Sequence, residues 1–414
     1  MNKKKALSVT LATVFGATAL FGIGTKVFPN ALEDNSAPVV HQPTMKSSTD
    51  KTTINLLSGD IYDFASKYEV SVDWPLSMQY SNGHTKYEPT PAHVTWSDSK
   101  EANYYTVKLS QNADLSNAET YAVFTNSLEI EDLFMGTKYY YQITAHRENE
   151  KIKSQIYSFE TAYLPRTIAL SSTYRDTNSR DIGGYYTEDK NYRVKQGVAY
   201  RGAEVKSCTQ EAKEKLLYQL GIKTELALHN VSTPDLGESV NYVYVESPHY
   251  VNYGGIHYAM RAKDLATALL TFANADNYPI YFHCQLGRDR TGTLAFLLNA
   301  LCGVGIEDLY LDFELSYLSN YGSIGWDGNG TPKAKVGQFE RMLRYINEGV
   351  SKQDAEHDKH GDPVRQDTIV NPYFKTTDTT LAERTATFLK GQLAEYGIND
   401  TVINAIRNNL LEKV

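Results

Sequence analysis

Two different patterns of apolar residues divide the chain. Between residues 66 and 163, short strand-like runs recur at close spacing, among them residues 104–109 and 138–143, and turn residues separate them. This pattern predicts an all-β sandwich domain over residues 66–163. Further along, residues 278–282 form a short apolar run that predicts a buried strand, and the nearly all-apolar residues 294–298 predict a buried helix. The second half of the chain therefore contains a strand, a tight loop and a helix in succession.

The N-terminus has the pattern of a secretory leader. Lys3, Lys4 and Lys5 precede an uncharged stretch from residue 6 to residue 25 that is rich in Ala, Leu, Val and Phe. This order predicts a signal peptide over residues 1–31, although the stretch is also long enough for an uncleaved membrane anchor. Residues 32–65, with their Pro, Ser, Thr and Asp, predict a flexible spacer. We therefore expect the body of the protein to be secreted or tethered to the extracellular face of the membrane.

Composition narrows the classes of partner. The 414 residues carry a formal net charge of −8, and 22% of them are charged. A chain with this acidic balance is not expected to bind nucleic acid or an anionic membrane as its main partner. The 10 histidines and 3 cysteines show no spacing typical of a zinc site. The sequence accordingly predicts no metal and no cofactor.

The candidate chemistry lies in the loop between the predicted strand and helix. Residues 283–293 read His-Cys-Gln-Leu-Gly-Arg-Asp-Arg-Thr-Gly-Thr. Gly287 allows a positive φ, so that backbone N–H groups of residues 285–290 can point into one concavity, where the helix N-terminus favours a phosphate anion. Arg290 can close this concavity with a fork that binds two phosphate oxygens. The same positive field favours the thiolate of Cys284, which is the nucleophilic form.

Two neighbours of the cysteine are expected to support the loop. Thr291 can donate its hydroxyl to the sulfur, and His283 is expected to orient the loop backbone with its side chain directed away from the concavity. A lone free cysteine is more often an inert buried residue. Here the preceding His, the mid-loop Gly, the following Thr-Gly, the strand and the helix occur together, and this context favours catalysis.

The combination His-Cys-x5-Arg-Thr resembles the signature of cysteine-dependent tyrosine and dual-specificity phosphatases. Residues 283–292 are similar to the bacterial branch His-Cys-x-x-Gly-Lys-Asp-Arg-Thr-Gly, with Arg288 in place of the usual Lys. Residues 178–184 and 197–203 resemble its upstream stretches Asn-x-Arg-Asp-Leu-Gly-Gly and Tyr-Arg-Ser-Gly, and residues 382–411 resemble its closing helices. The resemblance therefore extends well beyond the loop.

The resemblance implies a fold and a set of site residues. The fold is an α/β phosphatase domain over residues 164–414, in which helices flank a central sheet that presents the loop. Cys284 is implied as the nucleophile and Arg290 as its catalytic partner on the phosphate. The implied substrate-binding residues are His283, Gln285, Leu286, Gly287, Arg288, Thr291, Arg180 and Asp181.

The proton donor for the leaving oxygen is less defined by the sequence. Asp289 is the first candidate, because the branch places an Asp at that position in its loop. The alternative is that Asp289 forms a salt bridge with a neighbouring Arg and only shapes the loop. His249 and Asp235 are weaker candidates on facing loops, since a donor must lie within hydrogen-bond reach of the leaving group.

The β-rich segment also resembles a known module. Trp96, Leu133, the Tyr-Tyr-Tyr run at residues 139–141 and the closing residues 158–161 are similar to a fibronectin type III domain. Trp96 is expected in the core, and exposed tyrosines are expected to be ordinary strand surface.

Together, these features predict an extracellular bacterial phosphatase. The expected substrates are phosphorylated proteins or small phosphomonoesters: phosphotyrosine first, then phosphoserine, phosphothreonine or phosphoinositides. Two alternatives stay open. One is an inositol-phosphate scavenger of the phytase type, which the extra cation Arg288 would suit. The other is a surface protein whose phosphatase-like domain only binds.

Overall fold

The computed structural model describes residues 25–27, 39–41, 45–70, 89–97, 102–148, 150–172, 177–229, 233–245, 259–319, 325–326, 332–333, 336–352 and 368–414. Most of the predicted signal peptide lies outside these residues. The chain divides into two compact units, one made of Met1–Leu56 with Pro89–Leu164 and the other of Leu57–Glu88 with Pro165–Val414. In the part of the chain that is described, no helix is long and apolar enough to span a bilayer.

The first unit is built from strands. They are β1 (Thr25–Val27), β2 (Val39–His41), β3 (Thr53–Ile54), β4 (Ala92–Thr95), β5 (Tyr104–Ser110), β6 (Glu119–Val123), β7 (Ser127–Ile130), β8 (Lys138–His146), β9 (Lys151–Lys153) and β10 (Tyr157–Thr161). The larger sheet has the order β1-β6-β5-β8-β10-β3, with β9 on β8 and β2 on β9, while β4 pairs with β7. Trp96, Tyr105, Leu128 and Tyr141 share one apolar core. The two strands predicted at residues 104–109 and 138–143 are confirmed by β5 and β8.

Part of the predicted flexible spacer is folded. Met45 and Leu56 are buried in the core of the first unit, and β3 pairs in parallel with β10. The helix α1 (Gly59–Ser66) buries one apolar face in the second unit. The structure therefore differs from the predicted spacer over residues 45–65, because a few well-spaced apolar side chains order a segment that is mostly polar.

The second unit contains a five-stranded sheet. Its strands are β11 (Arg180–Asp181), β13 (Ala199–Ala203), β14 (Thr224–Ala227), β15 (Asn241–Tyr244) and β16 (Ile280–Cys284), in the order β11-β13-β16-β14-β15. The last four are mutually parallel, and β11 is antiparallel to β13. Three small pairs lie outside this sheet: β12 (Tyr192–Val194) with β21 (Leu411–Lys413), β17 (Gly325–Trp326) with β18 (Pro332–Lys333), and β19 (Val350–Lys352) with β20 (Thr368–Val370).

The helices of this unit follow α1. They are α2 (Gln210–Glu214), α3 (Ala259–Ala273), α4 (Asp289–Cys302), α5 (Ile306–Leu315), α6 (Val336–Asn347), α7 (Leu381–Gln392) and α8 (Asp400–Leu410). All five residues of β16 are buried, and α4 is buried on every side from Thr291 onward, as expected for a helix that is apolar all round. The predicted buried strand and buried helix are thereby confirmed. Helix α4 packs on β16, α5, α7 and α8.

The topology gathers several loops at one edge. Strands β13, β16, β14 and β15 are parallel, so their carboxyl ends lie at the same edge of the sheet. Ligands of open α/β sheets bind at this edge. Cys284 is the last residue of the central strand β16 and therefore lies there.

Candidate active site

The loop after β16 is held in a tight turn by one glycine. Cys284 ends the strand and is 3% exposed, residues 285–288 turn, and α4 begins at Asp289. Gly287 has a φ of +65°, and a Cβ built on it would lie 2.4 Å from the carbonyl carbon of Gly202. Only glycine fits both the left-handed conformation and the close approach to β13.

A buried charge network supports this turn from behind. Arg201 of β13 donates to the backbone oxygen of Gly287 at 2.9 Å and forms an ion pair with Asp312 of α5. Arg180 donates to Asp312 Oδ1 at 2.7 Å and to Asn178, whose amide donates to the backbone oxygen of Leu286 at 3.3 Å. Burial opposes the charge of Asp312, but the two guanidinium groups lower its pKa below the ordinary value. The loop backbone is therefore held by Arg201 of β13 and by Asn178, while Asp312 of α5 pairs with the two arginines behind them.

The structure buries Arg180 and Asp181, both of which were expected to bind substrate. Arg180 is 0% exposed and Asp181 is 2% exposed. Asp181 pairs with Arg166 at 2.7 Å and accepts the backbone N–H groups of Gly183 and Gly197. Since both charges are used in internal bonds, neither side chain reaches the open side of the loop. Arg180 reaches the loop only indirectly, through Asn178, which donates to the backbone oxygen of Leu286.

Arg288 and Asp289 pair with each other. Arg288 Nε lies 3.1 Å from Asp289 Oδ1, and a second bond joins the guanidinium to Oδ2 at 3.3 Å. The Asp289 side chain is 21% exposed to solvent. The structure thus contains the salt bridge that the sequence left open as an alternative to the acid role.

Arg290 and Thr291 lie in the first turn of α4, and their side chains have no hydrogen-bond partner among the described residues. Arg290 is half-buried, and within the described ranges its guanidinium forms no hydrogen bond or ion pair. Thr291 is 0% exposed, and its Oγ1 is a buried atom without a hydrogen-bond partner. The expected hydrogen bond from Thr291 to the sulfur of Cys284 is therefore not formed in this structure. An unpaired guanidinium beside a helix N-terminus is suited to bind an anion.

His283 points to a neighbouring strand. Its Nε2 lies 3.1 Å from Oε1 of Glu225 in β14, and both residues are almost completely buried. Glu225 also accepts the backbone N–H groups of Asp235 and Leu236. The side chain of His283 is engaged in this pair, in agreement with a supporting role for that residue. Sequence reasoning missed Glu225, although a carboxylate inside the run Thr-Glu-Leu-Ala-Leu is a signal that could have found it.

Two further residues at this edge were also missed. His229 follows β14 and Glu204 follows β13, and their side chains approach to 3.9 Å between Nε2 and Oε2. Burial, together with the charges of His283 and Arg290, lowers the pKa of His229 to about 4. Burial and the nearby Asp235 raise the pKa of Glu204. His229 is therefore a neutral imidazole, and its ring centroid lies 5.5 Å from that of His283.

No metal-binding role is assigned to this edge. One ligand atom each of Glu225, Asp235 and His283 lies within 4.8 Å of the others. However, the oxygens of Glu225 already accept hydrogen bonds from His283 and from two backbone N–H groups. The group is an internal hydrogen-bond network. His249, the other weak acid candidate, lies outside the described residues.

The two other cysteines, Cys208 and Cys302, lie away from the end of β16. Burial raises the pKa of Cys208 to about 11 and that of Cys302 to about 12. Cys302 ends α4 and is 4% exposed, as expected for a packing residue. Cys284 is the cysteine at the edge where the loops meet.

At this edge, the structure thus brings together a cysteine at the end of the central parallel strand, a tight turn at Gly287 and, in the first turn of α4, an arginine that has no hydrogen-bond partner among the described residues. A model of the tyrosine phosphatase family matches residues 173–412, more than half of the chain. The chain belongs to the tyrosine phosphatase family, which supports assignment as a phosphatase hydrolase.

Solved structures give local similarities. The core catalytic domain of the PP-IP phosphatase SIW14 from S. cerevisiae, in complex with citrate, is 22% identical over 32% of this chain and 77% of that chain, with a TM-score of 0.25. Another Siw14 catalytic core is 16% identical over 39% of this chain and 95% of that chain, with a TM-score of 0.23. A Fn3-like protein from Clostridium thermocellum is 24% identical over 18% of this chain and 80% of that chain, with a TM-score of 0.16. No curated protein matches the sequence.

Proposed function

We propose that this protein hydrolyses phosphomonoesters through a cysteinyl-phosphate formed on Cys284. The proposal depends on the geometry of the loop: Cys284 ends β16, Gly287 turns the backbone, and Arg290 lies in the first turn of α4 without a hydrogen-bond partner among the described residues. These parts supply a nucleophile, amide donors and a guanidinium fork at one edge of the sheet. The supporting network behind the loop favours a preorganised site.

The proposed reaction has two steps. The thiolate of Cys284 attacks phosphorus, the S–P bond forms, and the bond from phosphorus to the leaving oxygen breaks. Loop amides and Arg290 stabilise the equatorial oxygens, while Asp289 gives its proton to the departing phenol or alcohol. Water then attacks the cysteinyl-phosphate, gives a proton back to Asp289 and releases inorganic phosphate and the thiolate.

The proposed substrates are phosphotyrosine proteins, with phosphoserine, phosphothreonine and phosphoinositides as further candidates. The pattern of Lys3, Lys4 and Lys5 before an uncharged stretch supports an extracellular location, secreted or membrane-tethered. An inositol-phosphate substrate remains the alternative, because Arg288 adds a second cation at the mouth of the loop.

Phosphate release from a panel of phosphopeptides and inositol phosphates tests this proposal. The full-length protein should release phosphate from phosphotyrosine peptides, and Cys284→Ser should abolish release, with a drop of roughly 10⁴-fold or more because the nucleophile is lost. The matched control is Cys302→Ser, a buried cysteine that lies away from the loop. Unchanged release by Cys284→Ser would refute the nucleophile, and preference for inositol phosphates would favour the alternative substrate class.

A further inference from the structure

Two carbonyl groups of the loop after β16 are held by buried side chains. Asn178 Nδ2 donates to the backbone oxygen of Leu286 at 3.3 Å, and Arg201 donates to the backbone oxygen of Gly287 at 2.9 Å. Asn178 and Arg201 are both 0% exposed, so water does not compete for these donors. The directions of the two carbonyl groups are therefore fixed from one side of the loop.

The direction of a carbonyl group also sets the direction of the N–H group that follows it. A trans peptide unit is planar, and its C=O and N–H bonds point to opposite sides. The oxygens of Leu286 and Gly287 point toward Asn178 and Arg201. The N–H groups of Gly287 and Arg288 consequently point away from these supporting side chains.

Asn178 has a backbone conformation that is uncommon for a residue with a side chain. Its φ is +50°, in the left-handed region, which asparagine tolerates better than most residues. Non-glycine residues in this region cluster at functional sites, where the surrounding structure holds them. In this conformation, Oδ1 of Asn178 accepts from Arg180 at 2.8 Å, which directs Nδ2 to the carbonyl of Leu286.

One carboxylate connects the two supports. Asp312 Oδ1 accepts from Arg180 Nε at 2.7 Å, and Oδ2 accepts from Arg201. Arg180 in turn fixes the amide of Asn178, whereas Arg201 contacts the loop directly. A charged donor on a carbonyl oxygen polarises the peptide unit, so the N–H group of that unit becomes a stronger donor. The network thus acts on both the direction and the strength of the loop amides.

We propose that Asn178 and Arg201 are positioning residues that aim the N–H groups of Gly287 and Arg288 at the bound phosphoryl group, and that Asp312 holds both of them in place. The inference rests on the proposed function, in which loop amides stabilise the equatorial oxygens on phosphorus. It gives the buried charges a role in binding an oxyanion as well as a role in stability.

A purely structural role for the network predicts a different result. A network that only stabilises the fold would change the free energy of unfolding when it is altered. The altered protein, once folded, would still bind an oxyanion as the wild type does. The affinity for an oxyanion must therefore be measured on the folded protein.

The experiment is a calorimetric titration of the full-length protein with tungstate, a tetrahedral oxyanion. In Asn178→Asp, the side chain keeps an acceptor for Arg180 but presents an oxygen instead of Nδ2 to the carbonyl of Leu286. The Kd of tungstate should rise by roughly tenfold or more, because an aligned hydrogen bond to the anion is lost. Arg201→Lys should have a similar effect, since lysine lacks the planar fork that bonds Asp312 and Gly287 at once.

Ser316→Ala is the matched control. Ser316 Oγ accepts from Arg180 at 3.1 Å, but among the described residues it forms no hydrogen bond with the loop. This variant should alter stability and leave the Kd of tungstate unchanged. An equal rise in Ser316→Ala and Asn178→Asp would overturn the proposal, and so would a wild-type Kd in folded Asn178→Asp or folded Arg201→Lys.

The wild-type protein supplies a second test, which decides even if the variants do not fold. In NMR spectra of protein labelled with ¹⁵N-glycine and ¹⁵N-arginine, tungstate should move the amide proton signals of Gly287 and Arg288 downfield. Unchanged signals would overturn the proposal. Tungstate binding requires no turnover, so a protein that binds tungstate through these amides but releases no phosphate from the panel would refute the proposed function alone.

Discussion

At the scale of single residues, Asp289 has two possible roles that leave different kinetic signatures. It pairs with Arg288 at 3.1 Å and is partly exposed at the mouth of the loop. If Asp289 protonates the leaving oxygen, Asp289→Asn should slow alkyl phosphates, which have poor leaving groups, by roughly 10²-fold or more. Aryl phosphates with good leaving groups should slow by less than about tenfold, because they depart without a proton. The measurement is kcat across a series of leaving groups.

Asp276→Asn is the control for that series, because Asp276 is an exposed carboxyl in the same unit. It should leave all rates unchanged. Equal slowing of good and poor leaving groups by Asp289→Asn would assign Asp289 to loop shape alone.

Asp312 is the second residue whose charge can be tested. Its carboxylate pairs with Arg180 and Arg201, and all three side chains are almost completely buried. Asp312→Asn leaves two buried guanidinium groups without their counter-charge, so the free energy of unfolding should fall by about 3–5 kcal/mol. Chemical denaturation measures this change. Since the fold lowers the pKa of Asp312, its contribution is present above the unfolded value of about 3.9 and is lost as pH falls further.

Asp63→Asn provides the matched comparison for Asp312. Asp63 pairs with Lys67 at 3.1 Å, but the two side chains are 46% and 64% exposed. An exposed pair within one helix should contribute about 0.5 kcal/mol or less. A cost for Asp312→Asn as small as this would show that the network is not a source of stability.

At the scale of elements, the turn between β16 and α4 depends on Gly287. Gly287→Ala would place a side chain at a φ of +65°, and its Cβ would lie 2.4 Å from the carbonyl carbon of Gly202. The loop must therefore shift, and we expect kcat/KM for phosphate esters to fall by about 100-fold or more, because a small misplacement of catalytic groups has an effect of this size. Steady-state kinetics on the purified variant check the prediction.

Gly221→Ala separates backbone strain from steric contact. Gly221 has the same φ of +65°, but a Cβ built on it meets nothing within 4 Å. It should cost about 1–2 kcal/mol of stability through the left-handed conformation and leave kcat/KM unchanged. If both variants lose activity alike, the close approach of Gly287 to β13 is not what fixes the loop.

The elements of the site were more predictable than the directions of its side chains. The strand at 280–284 and the helix from Asp289 follow from the apolar runs and the turn chemistry between them. The partners of Arg180 and Glu225 could not be read from spacing, because they come from α5 and β16, far away in sequence. Thr291 likewise fits the expected position, but its hydroxyl does not contact the sulfur in this structure.

At the scale of the whole molecule, the second unit is discontinuous in sequence. It includes residues 57–88 as well as residues 165–414, so that strands β4 to β10 of the first unit lie between its two parts in the sequence, whereas β1 to β3 precede both. Sequence patterns locate strands and helices, but they do not show with which core a short helix packs. This explains why α1 was expected to be part of a spacer.

Tyr68, just after α1, forms a hydrogen bond that joins the segment around α1 to α5 within the second unit. Its hydroxyl donates to Oε1 of Glu314 in α5 at 2.6 Å, and burial followed by the charge of Glu314 raises the pKa of Tyr68 well above its ordinary value. Tyr68→Phe removes this donor from a carboxylate that is 0% exposed, at a cost of about 1–3 kcal/mol. Hydrogen exchange should therefore become faster in α1 and α5 and stay unchanged in β5 and β8. Tyr62→Phe in α1 is the control, and identical exchange in the two variants would mean that the Tyr68–Glu314 bond does not hold the early segment in the second unit.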